Sequence, residues 1–424
     1  MGVELVTFGC RLNLVESETV ERQARTAGLS DLAVINSCAV TAEAVRQAGQ
    51  AIRRLAREKP ERPIVVTGCA AQIEPARFAA MPEVARVLGN AEKLDAASWR
   101  ALASSNSLRA GAPADVPSKI MVGDIMQARD ASPQRTQALG QHTRGFLQVQ
   151  NGCDHRCTFC VIPLGRGNAR SSSVEEVVAQ ARRLVEEGAS EIVLTGVDLT
   201  SYGREQSDGP TLGALVGAIL AALPELKRLR LSSLDAVEVD DDLRDLIAEE
   251  SRLMPHLHLS LQSGDDLVLK RMKRRHSRAE AVSFCKELRA LRPDIVFGAD
   301  LIAGFPTEDE AMFSRTLALI EECGLSYVHG FPFSPRPGTP AARMPQVAGG
   351  EIKERAARLR EAAEAAYGRH LSARIGRPLS VLTERGDTGR AEDFTLVRFG
   401  HGVAPGQILA VTAHAQNGKS LLAA

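Results

Sequence analysis

The sequence predicts an α/β protein in three parts: an N-terminal parallel-sheet α/β domain, a partial (β/α)6 barrel and a small C-terminal antiparallel β-barrel. Three observations predict it. Val- and Ile-rich runs alternate with helix-length stretches over residues 1–100. The alternation resumes after residue 142 and continues for six β/α units. From residue 372 onward only short apolar runs remain, separated by Gly-containing turns.

Each element has its own signal. Val3–Phe8, Ala33–Asn36 and Pro63–Thr67 read as strands closed by a polar residue or glycine, and Val84–Leu88 extends the sheet. Leu14–Ala27 and Thr41–Glu58 have helical spacing, with Thr41 suited to an N-cap. Residues 106–141 are rich in Ser, Ala, Gly and Pro and read as a linker, with one short strand around Ile120–Val122. Barrel strands are expected at Phe146–Gln150, Glu191–Thr195, Arg228–Leu231, His256–Ser260, Ile295–Leu301 and Tyr327–Phe331. Helices between them fall at Val174–Glu187, Thr211–Ala222, Asp240–Glu250, Arg278–Leu291 and Glu308–Glu322, and a charged, Ala-rich helix, Gly350–Leu371, closes the barrel. Leu379–Thr383, Thr395–Phe399 and Ile408–Thr412 supply strands for the last module. The expected division is residues 1–105, 106–141, 142–371 and 372–424.

Composition narrows the class. Lys plus Arg and Asp plus Glu are 52 each, so bulk charge neither requires nor excludes a nucleic-acid partner. The opening MGVELVTFGC enters a strand-like run directly, with no basic leader and no run of about 18 apolar residues. A cytoplasmic protein is expected. Eight cysteines in 424 residues are few for a disulfide scaffold, so clustered ones point to metal or catalysis.

Two groups of cysteines stand out. Cys153, Cys157 and Cys160 form a C-x3-C-x2-C loop after the first barrel strand, at the edge where such barrels keep their active sites. Three thiolates within eight residues can hold one cubane cluster and leave one iron without a protein ligand. A structural zinc site is the rival, but it favours paired C-x2-C units, and His155 as a fourth ligand lies inside the loop. The second group is dispersed. Cys10, Cys38 and Cys69 each follow a strand, and parallel strands would bring all three to one edge of the sheet, beside a topological switch point. A second cluster is expected there, against the alternative of three small buried hydrophobes. Cys285 and Cys323 lie on apolar helical stretches and are expected in the core.

At these residues the chain resembles the radical S-adenosylmethionine methylthiotransferases. Gly9–Glu18 (GCRLNLVESE), Asn36–Thr41 (NSCAVT) and Gly68–Gln72 (GCAAQ) are similar to the three N-terminal cysteine motifs of that family. Gln150–Ser171, Leu194–Leu199, Leu261–Gly264, Ala303–Glu308 and Ser334–Ala341 are similar to its radical domain, and the C-terminal module resembles a TRAM domain. Among the branches, NSCAVT and GCAAQ resemble the one acting on N6-threonylcarbamoyladenosine in tRNA, rather than the isopentenyladenosine or ribosomal-protein branches. Ser37 replaces the usual threonine, and Ser232–Ala236 lacks the usual acidic-Pro ending.

The resemblance implies two 4Fe–4S clusters and S-adenosylmethionine as cofactors. The cluster at Cys153, Cys157 and Cys160 would generate a 5′-deoxyadenosyl radical, and the one at Cys10, Cys38 and Cys69 would carry the sulfur to C-2 of the adenine. It also implies tRNA as substrate and an electron-donor protein of flavodoxin or ferredoxin type. Thr195, Asp198, Ser232 and Gln262, at strand ends, are candidates to contact the cofactor's polar atoms, and Gly304 to admit its adenine; each is equally a plausible turn residue. Arg166 and Arg170, near the loop, are candidates for substrate contact or cluster electrostatics. The basic run Lys270–His276 reads as a solvated helix end or a phosphate contact.

Overall fold

The computed structural model describes residues 2–104, 108, 119–129, 131, 134–136 and 143–423. The N-terminal sheet contains β1 (Val3–Thr7), β2 (Leu32–Ser37), β3 (Ile64–Gly68), β4 (Arg86–Leu88) and β5 (Ile120–Met121), all parallel and in chain order. Because β2 and β3 are covered on both faces, they read as continuous apolar runs rather than alternating ones. On one face lie α1 (Arg11–Thr26) and α5 (Ala96–Ser104). On the other lie α2 (Ala42–Glu58), α3 (Cys69–Ile73) and α4 (Pro75–Ala79). Thr41 caps α2 as expected, its Oγ1 accepting the Ala44 N–H at 3.1 Å. The sequential strand order corrects one expectation. The cysteine-bearing strand ends are neighbours along one edge and do not flank a reversal of strand order.

The segment expected as a linker is partly built into both neighbours. Strand β5 closes the N-terminal sheet, while β6 (Gln134–Arg135) pairs antiparallel with β7 (Gly145–Gln148). Strand β5 lies where a short strand was expected around Ile120–Val122, whereas β6, only two residues long, is too short to leave a periodic signal. The rest of 106–141 lies outside the described residues, apart from Leu108, Lys119, residues 122–129, Ala131 and Thr136.

After β7, the hairpin β8 (Gln150–Asn151) with β9 (Arg170–Ser171) brackets the cysteine loop and α6 (Ile162–Arg166). The barrel continues through α7 (Val174–Glu186), β10 (Glu191–Thr195), α8 (Leu212–Ala222), β11 (Arg228–Leu231), α9 (Asp241–Glu249) and β12 (His256–Gln262). Helices α10 (Asp266–Met272) and α11 (Arg278–Leu291), β13 (Val296–Ala303), α12 (Glu310–Glu322) and β14 (Leu325–Pro332) complete it. Parallel pairing runs β7–β10–β11 and β12–β13–β14, and isolated parallel bridges at Leu229–Leu253 and Leu234–Leu259 join the two halves. The largest apolar core lies between these strands and their helices and includes Cys285 and Cys323. The open side of the barrel is met by α1, where Val15 packs with Phe146 and Val193.

Helix α13 (Gly349–Arg374) lies along β14 and leads into β15 (Pro378–Thr383), β16 (Thr388–Ala391), β17 (Leu396–Phe399), β18 (Ile408–Gln416) and β19 (Leu421–Ala423). These five strands form a closed barrel, mostly antiparallel, with β17 and β19 parallel. No described helix is long and apolar enough to cross a membrane.

Candidate active site: two cysteine trios

The C-x3-C-x2-C loop is shaped by Gly152, whose φ is +70° and whose Cβ, were it present, would lie 1.8 Å from the Asn168 carbonyl oxygen. The Cys153 N–H donates to Gly167 O at 3.1 Å, and Thr158 Oγ1 donates to Arg271 O at 2.8 Å. A backbone bond at Cys153 and a side-chain bond at Thr158 therefore hold the loop. Cys153, Cys157 and Cys160 are all half-buried.

Their surroundings differ. Burial, reinforced by Asp198 with Oδ2 at 3.5 Å, pushes the Cys153 thiol's pKa up. Burial lifts Cys160 to about 11. Cys157 goes the other way: burial opposes ionisation, but His155 and Arg274, whose Nη1 is 3.6 Å from Sγ, bring the thiol below its ordinary value. His155 is itself lifted to about 10 by Cys157 and Glu238, with Nε2 3.2 Å from a Glu238 oxygen.

The basic run beside α10 thus has a use that its charge pattern did not reveal. Lys273 takes a left-handed conformation, φ +58°, and turns the chain inward. Arg274 is then buried against Asp235 and Cys157, and His276 is buried behind it. Neither is part of a solvated helix end. The sequence placed Arg274 in this run without that role, since a run of basic residues carries no signal of which one turns in.

The other trio forms as the parallel sheet requires. Cys10 is the exposed residue before α1, Cys38 follows β2 and is buried, and Cys69 opens α3. Two glycines permit the convergence. At Gly9 a Cβ would meet Cys38 Sγ at 2.7 Å, and at Gly68 it would meet Ser37 O at 2.2 Å; both have φ +93°. Ser37 ties the edge together, its hydroxyl donating to Thr67 O at 2.5 Å and accepting from Ala71 N at 3.2 Å.

The trios share a wall. Helix α6, immediately after Cys160, packs on α3, and Asn90 bridges them by donating to Gly165 O at 2.5 Å and to Cys69 Sγ at 3.7 Å. At Gly165 a Cβ would lie 3.1 Å from the Cys69 Cβ. Arg166, 2% exposed, reaches across to α1: Nη1 bonds Glu16 Oε1 and Nη2 bonds Asn13 Oδ1, both at 2.7 Å. Lys93 Nζ holds the other Glu16 oxygen at 2.7 Å. Although burial opposes its charge, Glu16, Cys69 and Cys10 raise the Arg166 pKa well above its ordinary value.

The remaining sequence-predicted residues divide. Arg166 has no free face for substrate, because its guanidinium is committed to Glu16, Asn13 and Asn151; its place suits electrostatics at the trios. Arg170 braces the loop through Arg166 O and Asn168 O at 2.8 and 3.0 Å. Gly304 gives way to packing: the space a side chain would take is filled by Ile352 of α13 at 2.7 Å, and its N–H goes to Glu308. Asp198 lies at the loop, its Oδ2 accepting from Ser201 Oγ at 2.8 Å. Gln262 sits at the end of β12 with φ +67°, a strained value for a residue with a side chain. Thr195 Oγ1 and Ser232 Oγ, on adjacent strand ends, are buried without a hydrogen-bond partner among the described residues.

Cysteine trios at the mouth of a six-unit barrel define a class, the radical-forming iron–sulfur enzymes, and the comparisons agree. The Radical SAM superfamily matches residues 147–320, and the "Uncharacterized protein family UPF0004" matches residues 2–89. The chain is 46% identical, over 96% of its length and 93% of the relative's, to "Threonylcarbamoyladenosine tRNA methylthiotransferase MtaB" of Rickettsia prowazekii. It is 34% identical to "tRNA-2-methylthio-N(6)-dimethylallyladenosine synthase" of Erythrobacter litoralis, over 89% of this chain and 85% of that one. The fold is similar to the radical S-adenosylmethionine methyltransferase TsrM from Kitasatospora setae, with TM-score 0.56 and 15% identity over 79% of this chain and 77% of that one. This chain belongs to the radical S-adenosylmethionine methylthiotransferase family. It is an enzyme of that class, and the family's cofactors are S-adenosylmethionine and 4Fe–4S clusters. The residues present fit them: two sets of three thiols suit cubane iron, and the orphaned Thr195 and Ser232 hydroxyls suit a polar ligand.

Proposed function

We propose that this chain inserts a methylthio group at C-2 of N6-threonylcarbamoyladenosine, next to the anticodon of tRNA. The observation that carries the reading is the packing of α3, opened by Cys69, on α6, which follows Cys160, with Arg166 joining the trios. The greater identity to the threonylcarbamoyl enzyme than to the dimethylallyl one, 46% against 34%, supports this branch.

In this reading Cys153, Cys157 and Cys160 hold one cluster, and Cys10, Cys38 and Cys69 hold the other. When bound, the clusters and S-adenosylmethionine supply the electron, the radical, the sulfur and the methyl group. Arg274 and His155 hold positive charge against Cys157 and favour its thiolate. Arg166 holds positive charge beside Cys69 and Cys10 while Glu16 keeps it in place. Thr195, Ser232, Asp198 and Gln262 orient the cofactor at the strand ends, and the barrel wall excludes water from the reacting atoms. Residues 1–105 form the sulfur-bearing unit, 142–371 the radical barrel and 372–424 the appended β-barrel. An electron-donor protein of flavodoxin or ferredoxin type completes the system, in the cytoplasm.

Two measurements test this. Anaerobically purified protein should carry about eight irons per chain, four for each cubane; stoichiometric zinc instead would remove the reading. Transfer RNA from a deletion strain should lack 2-methylthio-N6-threonylcarbamoyladenosine and keep its unmethylthiolated precursor. Unchanged levels would show that the substrate assignment is wrong.

A further inference from the structure

One cation next to the N-terminal trio forms no ion pair among the described residues. Arg11 follows Cys10 directly, at the start of α1, and both are exposed, whereas Cys38 and Cys69 are buried. A substrate that comes to this trio therefore comes from the side of Cys10, the residue next to Arg11 in the chain. The Arg11 guanidinium carbon is 5.9 Å from the ring centre of Phe146 and 5.7 Å from that of Phe394. Arg144, Arg230 and Arg390 stand around the same Phe394 ring at 5.4, 5.3 and 4.7 Å.

The neighbouring anions are already engaged. Glu191, buried in β10, is 2.8 Å from Arg230 and also faces Arg228 and Arg144 at 3.7 and 3.8 Å. Glu384 pairs with Arg144 and lies 4.0 Å from Arg390. Among the described residues no carboxylate forms an ion pair with Arg11; burial and the charge of Arg230 lower its pKa, and Glu191, already held by three other arginines, offsets this only in part. A guanidinium resting on aromatic rings keeps its N–H donors at its edge, in a fork that matches a carboxylate.

We infer that Arg11 is a specificity-determining residue that binds the carboxylate of the threonylcarbamoyl group, resting on the substrate reading above. The chemistry of the base makes the placement reasonable. C-2 and C-6 of adenine are both bonded to N1, so a substituent on N6 lies on the same side of the ring as the carbon that receives sulfur. A cation next to the sulfur-side cysteine is then within reach of that substituent. The same residue discriminates against an apolar N6 group, which would cover the guanidinium without pairing it.

The test uses the cluster-loaded full chain and three anticodon stem–loops, carrying N6-threonylcarbamoyladenosine, the methyl ester of its carboxyl group, or N6-dimethylallyladenosine. Methylthiolated product is quantified by mass spectrometry, and the iron content of each protein is measured alongside. Wild type is expected to show a KM for the acid about tenfold or more below that for the ester. Arg11→Gln should bring that ratio close to one, mainly by raising KM for the acid, and Arg11→Lys should restore part of it. An equal KM for acid and ester in wild type, or a ratio that survives in Arg11→Gln, overturns the inference. If Arg11→Gln fails to load iron, the wild-type and Arg11→Lys ratios decide in the same way. Turnover of only the dimethylallyl stem–loop by wild type would instead sink the substrate reading itself.

Discussion

Gly68 shows how much of the site depends on a missing side chain. The polypeptide turns from β3 into α3 there with φ +93°, and Ser37 backbone atoms occupy the place of a Cβ. Gly68→Ala must either clash with β2 or move Cys69 away from Cys10 and Cys38. The expected outcome is loss of about half the iron, four atoms of each eight, with the loop at Cys153 still loaded. Iron and sulfide analysis with electron paramagnetic resonance of the reduced protein checks this; full loading of the variant would contradict the assignment of the trio.

At the scale of elements, the loop after β13 docks on α13 through one buried pair. Glu308 accepts from the Gly304 N–H at 2.9 Å and lies 3.2 Å from Arg355 Nη1. Burial outweighs these contacts and raises its pKa to about 7. A raised carboxylate has its full contribution to stability below the unfolded value, about 4.3, and loses it as pH rises through the folded value. Wild type should therefore lose thermal stability relative to Glu308→Gln as pH goes from 5 to about 8. A difference in Tm that stays constant over that range would refute the assignment. Helix α13 would feel the change first, since Ile352 packs into the Gly304 turn.

Across the whole molecule, Glu191 joins the two barrels. It faces Arg144, Arg228 and Arg230, while Arg228 also donates to Ser380 O at 2.7 Å and Arg230 to Ala391 O at 2.8 Å. Removing the carboxylate leaves a cluster of buried cations facing one another, at a cost of about 3–5 kcal/mol. Glu191→Gln should lower the melting temperature and expose the junction after α13 to protease, releasing the C-terminal β-barrel. Unaltered proteolysis would mean that the two barrels are held together by other contacts.

Much of this architecture was legible in the chain because local chemistry and global fold agree. Strand Glu191–Thr195 and helix Arg278–Leu291 appear with the bounds their periodicity implied. The N-terminal three cysteines were legible for a related reason: parallel strands place their ends on one edge, so a cysteine after each strand has only one place to go. The two-residue strand β6, the short α10 and the late β19 were not, since so few residues establish no period. Side-chain destinations belonged to tertiary structure alone. Arg166 was a candidate for substrate contact or cluster electrostatics, and its bond to Glu16 of α1 makes it a buried brace with no free face for substrate. Gly304 looked like a seat for a ring and receives Ile352. Arg11 carried no signal beside Cys10 until Phe146 and Phe394, from two other units of the fold, closed on it. Spacing along the chain decides which residues share an edge; which charges then meet depends on contacts between residues far apart in sequence.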